Sequence, residues 1–200
     1  MLLFTMTGCK NIYLSSQRSP YYINPNKRFS DIARVAVIEF RNKSDYPGIS
    51  EDITKAVYQQ LQKEQFFGLN MIHKDNPLWT NLQLGADTPL TLEQLSYMYK
   101  QLNCDGILIG TVTDYKPYPH MTLGIHLTLI DLRDGEILWA IEDIWDASEK
   151  TTQENIQKYY ENKMYSESKS LNKELTEVSP IRFIKFVAYE IALPIGKNYK

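Results

Sequence analysis

Hydrophobic and polar positions follow two rhythms along the 200 residues. Residues 34–40 (RVAVIEF) make a β-branched apolar run through Val35, Ala36, Val37 and Ile38, the pattern of a central strand buried on both faces. Residues 42–48 (NKSDYPG) have loop composition. Ser50 is placed to cap a helix, with Glu51 and Asp52 favourable in its first turn. Ile53, Ala56, Val57, Gln60 and Leu61 then recur at spacings of three and four, and this helix is expected to end near Gly68. Residues 69–72 are a short strand candidate. Residues 91–94 (TLEQ) fit a capping box, and Leu92, Leu95, Tyr99 and Leu102 continue at helical spacing to a stop at Asn103. Residues 105–115 (DGILIGTVTDY) are a second long β-rich run, closed by a turn at 116–119 (KPYP). Residues 120–130 alternate strictly, with Met121, Leu123, Ile125, Leu127 and Leu129 on one face and Thr122, Gly124, His126 and Thr128 on the other. A hairpin turn at 131–135 (DLRDG) gives Gly135 the positive-φ place and returns the chain as a strand over 136–145. Ser179 as cap and Pro180 at the first helical position open a last helix, packed through Ile184, Val187, Ala188 and Ile191 and stopping near Pro194. The order strand-helix-strand-helix-strand-strand-strand-helix predicts a single α/β domain, a mixed β-sheet with helices packed on it.

Composition adds limits and boundaries. A hydrophobic fraction of 43% supports a real core and excludes wholesale disorder. Two cysteines cannot build a disulfide scaffold or a four-cysteine zinc site. A net charge of -2 argues against a nucleic-acid partner held by phosphate neutralisation. The charge is unevenly placed. Residues 1–30 hold Lys10, Arg18, Lys27 and Arg28 and no acidic residue, so the other 18 basic side chains face all 24 acidic ones. Residues 10–30 lack apolar periodicity and read as a basic extended arm ahead of a domain spanning 31–200. Within that domain, residues 148–178 carry alternating Lys and Glu with Ser, Thr and Asn, a charged insertion expected to be a solvated helix plus a flexible loop.

The first nine residues (MLLFTMTGC) place small side chains just before Cys9 and after an apolar run. They resemble the lipobox of bacterial lipoproteins, in which the cysteine thiol carries diacylglycerol, so 1–9 is read as a truncated signal peptide and Cys9 as the lipidation site. The apolar part is shorter than the usual signal of about 7–15 residues and no Lys or Arg precedes it; an upstream start accounts for both. The alternative is a cytosolic chain with a chance Gly-Cys. Cys104 sits in an apolar context and reads as a core thiol. A Cys9–Cys104 disulfide would require an oxidising compartment and an unprocessed N-terminus. No later segment approaches the roughly 18–20 apolar residues of a spanning helix.

Candidate chemistry is sparse. His73, His120 and His126 show no zinc-ligand spacing; His120 and His126 can share a strand face but lie roughly 20 Å apart along it. No nucleophile elbow, Walker loop or dinucleotide fingerprint is present. Gly106 and Gly110 inside a strand point to close packing or a bulge. Turn chemistry accounts for Asp131 and Asp134. Glu142, Asp143 and Asp146 form an acidic strip, the sole basis for a metal-dependent hydrolase. No enzyme activity, metal or cofactor is therefore expected. Of the 14 tyrosines, Tyr13, Tyr21 and Tyr22 fall in the arm and Tyr159, Tyr160 and Tyr165 in the insertion. Tyr is favoured at interfaces, so Tyr21, Tyr22, Tyr159, Tyr160 and Tyr165 are the partner-binding candidates, with packing back onto the domain as the alternative.

Three stretches together resemble a bacterial group. Residues 35–40 (VAVIEF) with Asn42 and Ser44 are similar to an AVLPF-N-S opening. Residues 103–112 (NCDGILIGTV) are similar to an AD-x-(I/V)3-G-x-V strand, and residues 129–140 (LIDLRDGEILWA) to an L-x-D-x-R-T-G-E-I-L-W hairpin. Their order resembles the domain shared by the envelope lipoproteins CsgG and LpoB and the N-terminal domain of TolB, over about residues 34–147 plus the last helix. The resemblance implies a domain without catalytic residues that acts through contacts in the cell envelope. The expectation is thus a lipid-anchored adaptor or activator that faces the periplasm and binds another envelope protein. Lys10 after the cysteine favours the outer membrane. The alternative is a subunit of an oligomeric, CsgG-like secretion channel, in which the alternating hairpin at 120–147 would serve the pore and the chain would be a homo-oligomer.

Overall fold

The computed structural model describes residues 20–81, 91–166 and 179–199. Its centre is a seven-stranded mixed sheet. The strands are β1 (Tyr21–Ile23), β2 (Arg34–Ile38), β3 (Arg41–Asn42), β4 (Gly68–Ile72), β5 (Gly106–Lys116), β6 (Thr122–Asp131) and β7 (Ile137–Asp146). They lie in the order β1-β7-β6-β5-β2-β4, with β3 also pairing β5. β4, β2 and β5 run parallel, while β5, β6, β7 and β1 are antiparallel neighbours. Parallel neighbours need crossovers. Helix α1 (Ile49–Glu64) joins β2 to β4, and the connection from β4 to β5 carries α2 (Pro77–Asn81) and α3 (Leu92–Leu102). After β7 come α4 (Lys150–Ser166) and α5 (Pro180–Asn198).

Side-chain alternation divides the interior into two layers. Val35 and Val37 of β2, Leu108 and Val112 of β5, and Leu123, Ile125, Leu127 and Leu129 of β6 face the larger cluster, where they meet α1, α4 and α5. Ala36, Ile38, Ile107 and Ile130 face the smaller one with Leu95, Met98 and Leu102 of α3. The two-sided burial expected of residues 34–40 follows from this, since helices cover β2 on both faces. The phase of β5 changes where the register shifts between Val112 and Asp114. Thr113 is the extra residue, so Val112 and Tyr115, three apart, both face the larger cluster. A Cβ on Gly110 would come within 2.3 Å of Leu127 Cδ2 and 2.9 Å of Phe40 Cδ1, so close packing explains that glycine.

Several expected features take a different form. The body of the protein begins before residue 31. Tyr21, Tyr22 and Ile23 pair with Ile141, Ala140 and Trp139, and Phe29 is buried in the larger cluster, so residues 20–31 belong to the domain and not to an arm. Ser50 is not the cap of α1. Gly48, at φ +83°, holds that place, while Ser50 is buried and its carbonyl accepts the Thr54 hydroxyl, which in turn accepts the Phe40 N–H. The Thr91–Gln94 capping box forms in full. Ser179 is the N-cap of α5, though its hydroxyl makes no capping bond. α5 does not stop at Pro194. A proline inside a helix costs about 3 kcal/mol, and burial of Ile195 with the tilted contact of Tyr199 on Phe66 and its edge-on contact with Phe67 offsets it. The first part of the charged insertion is also less solvated than its composition suggests, because α4 packs on α5 through Ile156 and Tyr159. Among the described residues no helix is long and apolar enough to cross a membrane.

Candidate functional site

The hairpin between β6 and β7 is held by a charged pin. Asp131 closes β6 with a fully buried carboxylate. Arg133, two residues on, grips it with Nε at 2.8 Å and Nη2 at 2.6 Å, and donates its backbone N–H at 3.0 Å. Lys27 reaches the same carboxylate with Nζ at 2.8 Å and also pairs with Asp134 and, at 3.8 Å, with Glu136. Asn24 extends the join: its N–H donates to the Leu138 carbonyl and its amide to the Ile137 carbonyl. Burial pushes the Asp131 pKa up, but hydrogen bonds from Arg133 and Lys27 outweigh it and hold the group at about 2. Burial lowers the Lys27 pKa, yet its bonds to Asp131 and Asp134 leave it above the usual lysine value. The Arg133 pKa is raised by the hydrogen bond to Asp131. The carboxylate is therefore ionised and its oxygens are occupied, which suits it to fasten β1 onto the turn and not to move protons. Turn chemistry does appear here, since Asp131 and Asp134 accept the backbone N–H groups of Arg133 and Glu136. The bond to Lys27 spans 104 residues and had no local signal.

A second polar cluster joins residues that no motif had grouped together. Glu39 follows β2 and is buried; it accepts the Lys74 N–H at 3.0 Å, with Lys74 Nζ at 3.4 Å and His73 Nδ1 at 3.7 Å. Lys74 Nζ also donates to the Ser50 hydroxyl, and the Trp79 indole N–H to the Glu39 carbonyl. A carboxylate ending an apolar strand is the signal that points to it. Its groups satisfy one another and tie the exit of β4 to that of β2.

The candidate tyrosines separate. Tyr21 and Tyr22 sit on β1 at the sheet edge, and Tyr22 is 48% exposed. Tyr159 is 9% exposed, packed against Phe186 and Tyr189 with ring centroids 6.0 and 4.7 Å away. Tyr160 donates its hydroxyl to the Arg182 carbonyl at 2.9 Å and lies under the Arg182 guanidinium; burial pushes its pKa up to about 12. Tyr159 and Tyr160 thus pack inward, because α5 supplies the apolar partner that the insertion itself lacks. The side chain of Tyr165, together with Cys9 and Tyr13, lies outside the described residues.

Tyr22 borders an open face. On the α3 side of the sheet, Ala140, Glu142 and Ile144 of β7 stand opposite Thr128, His126 and Gly124 of β6. Among the described residues α2 and α3 are the helices on this side, and their buried contacts stop at Ile107, Ile130 and Leu132. Ile144 is consequently 60% exposed and Glu142 is exposed. The acidic strip does not converge. Glu142 and Asp143 point to opposite faces, Asp143 accepts the Ile144 N–H, and Asp146 accepts the N–H and hydroxyl of Ser148. Among the described residues no group of three or more His, Cys, Asp or Glu is placed to hold a metal ion. His120 is exposed in the β5–β6 turn, whereas His126 lies on the open face. Cys104 is buried, its thiol donates to the Leu102 carbonyl at 3.3 Å, and burial pushes its pKa up.

No protein-family model matches the chain, and no curated protein matches it in sequence. Among solved structures it is similar to lipoprotein GNA1162 from Neisseria meningitidis (16% identity, 67% of this chain and 99% of that one, TM-score 0.46). It is also similar to the PelC dodecamer from Paraburkholderia phytofirmans (14% identity, 67% and 85%, TM-score 0.46). A third is the LpoB C-terminal domain from Salmonella enterica (14% identity, 56% and 82%, TM-score 0.40). At this identity and superposition the likeness is one of strand and helix arrangement and assigns the chain to no family.

Proposed function

We propose that the chain is a non-enzymatic bacterial cell-envelope lipoprotein, anchored through Cys9 at the outer membrane and facing the periplasm, where it acts as an adaptor or activator for another envelope protein. The observation that carries this reading is the division of labour at the β6–β7 hairpin. The charged residues of its motif are engaged with one another and with Lys27, while the open face beside it presents Tyr22 and Ile144. A rigid scaffold flanked by exposed aromatic and aliphatic side chains suits docking. The hairpin that motivates a secretion pore is part of the sheet, with β6 between β5 and β7. Leu123, Ile125, Leu127 and Leu129 face the helix-covered cluster and not the outside, so the adaptor is preferred.

Three experiments test the proposal. A fatty-acid analogue should label the wild-type chain in cells and not Cys9→Ala; equal labelling, or none, removes the anchor. A photo-crosslinker in place of Tyr22 should join the full chain to one defined envelope protein, and one in place of Tyr159 should not. A single ring of many subunits, measured as the native mass after detergent extraction, would return the pore.

A further inference from the structure

β1 closes the β7 edge of the sheet only in part. It pairs with Trp139, Ala140 and Ile141, whereas β7 runs on to Asp146. Among the described residues no strand pairs with the outer side of β7 from Glu142 onward, and at its end the Asp146 carbonyl accepts the Glu149 N–H. Two hydrogen bonds fix which backbone groups face out. The Asn24 N–H donates to the Leu138 carbonyl on the β1 side, and the Ala147 N–H donates to the Met121 carbonyl on the β6 side. Successive residues of a strand direct their backbone groups to opposite neighbours. Ala140, Glu142 and Ile144 therefore point theirs outward. Carried one step further, the register sets Pro20 against Glu142, and a proline has no N–H to donate, which explains where β1 stops. Beyond it, the Ile144 N–H is satisfied by its neighbour's side chain, the Asp143 carboxylate at 2.8 Å.

An open strand edge invites another strand. Charge decides which kind. β7 carries Glu142, Asp143 and Asp146 and no Lys, Arg or His. A second copy added edge to edge would set these carboxylates against themselves, and like charges directly opposite are destabilising. A basic strand gains where a copy loses. Glu142, Ile144 and Asp146 alternate on the open face, so the complementary side chains run basic, apolar, basic at every second position. Resting on the adaptor reading, we propose that the outer edge of β7 from Glu142 to Asp146 takes up, by strand addition, an extended partner segment of pattern basic-x-apolar-x-basic.

The probe is a fluorescein-labelled peptide, Gly-Lys-Thr-Val-Thr-Lys-Gly, titrated with the full chain and followed by anisotropy. Saturable binding is expected. It should weaken at least tenfold for the same peptide N-methylated at alternate amides on its bonding edge, for the peptide with Glu in place of Lys, and for the Ile144→Pro variant. The double variant Glu142→Lys with Asp146→Lys should reverse the preference toward the Glu peptide. Equal binding of the N-methylated peptide, or unchanged selectivity in the double variant, overturns the proposal; neither depends on Ile144→Pro folding. A dimer by native mass that Ile144→Pro abolishes overturns it in favour of a second copy. A photo-crosslinker in place of Ile144 that reacts within one chain at residues 10–19 overturns it in favour of the chain's own arm. Failure here with Cys9 labelling and Tyr22 cross-linking intact removes the strand-addition site alone; loss of those two removes the adaptor.

Discussion

Replacing Asp131 with Asn removes the charge that holds the hairpin pin while keeping the size of the side chain. Two estimates bound the cost. The pKa of the carboxyl drops from an ordinary 3.8 to about 2 on folding; at about 1.36 kcal/mol per pH unit this is worth about 2.4 kcal/mol at neutral pH. Breaking one side of a buried ion pair costs about 3–5 kcal/mol when the other charge is stranded in the interior. Arg133 is partly hydrated, with 43% of its side chain exposed, so the lower end applies. The expected loss is about 2–3 kcal/mol at pH 7, or about 5–10 °C in Tm for a domain of this size. Because the folded pKa lies below the unfolded one, the contribution is complete above about pH 4 and disappears as the pH falls through about 2. Urea unfolding followed by the fluorescence of the buried Trp139 and Trp145 measures it. Wild type and Asp131→Asn should differ at pH 7 and converge near pH 2. A difference under about 0.5 kcal/mol at pH 7, or one that persists undiminished at pH 2, refutes the pin.

Tyr159→Ala should lose about 3 kcal/mol of stability by emptying a buried site, and Tyr22→Ala should stay within about 0.5 kcal/mol; chemical denaturation of both variants checks whether packing and docking tyrosines are correctly sorted. Gly110→Ala forces a methyl into Leu127 and Phe40 and should cost about 1–3 kcal/mol in the same assay. Thr91→Ala should lose about 1 kcal/mol and raise hydrogen exchange in the first turn of α3, since it removes the Gln94 N–H bond of the capping box. The Cys104 thiol should react with an aromatic disulfide at least tenfold more slowly in the folded chain than in urea, because it is buried and its pKa is raised.

Particular elements show where local sequence was enough. The capping box of α3 involves residues three apart, and the Asp131–Gly135 turn closes over five, so both were visible in the chain. Of the two long strands flanking that turn, β6 was legible because a period of two, kept up over ten residues, fits a pleated strand and no helix, and β7 because the turn returns the chain as its partner. The ends were not. β1 and β3 have three and two residues, too few to show a period, and become strands because β7 and β5 offer them backbone partners. Pro194 looked like a stop because its local cost is plain, whereas the packing of Ile195 and Tyr199 against α1 and its exit was not. Ser50 resembled a cap by type, but the buried hydrogen bonds around Thr54 claimed that part of the chain.

The candidate site divides along the same line. The amino-acid order by itself determined a mixed α/β sheet, the hairpin turn and the tyrosine-bearing segments, because each rests on residues a few places apart. Tertiary structure alone decided which tyrosines are accessible, that Lys27 completes the Asp131 pin, and that β7 keeps half of its edge open. Those outcomes join residues 22 positions apart, as for Tyr160 and Arg182, and 104 apart, as for Lys27 and Asp131. Their energies arise only once the sheet has brought such groups within hydrogen-bonding or van der Waals range.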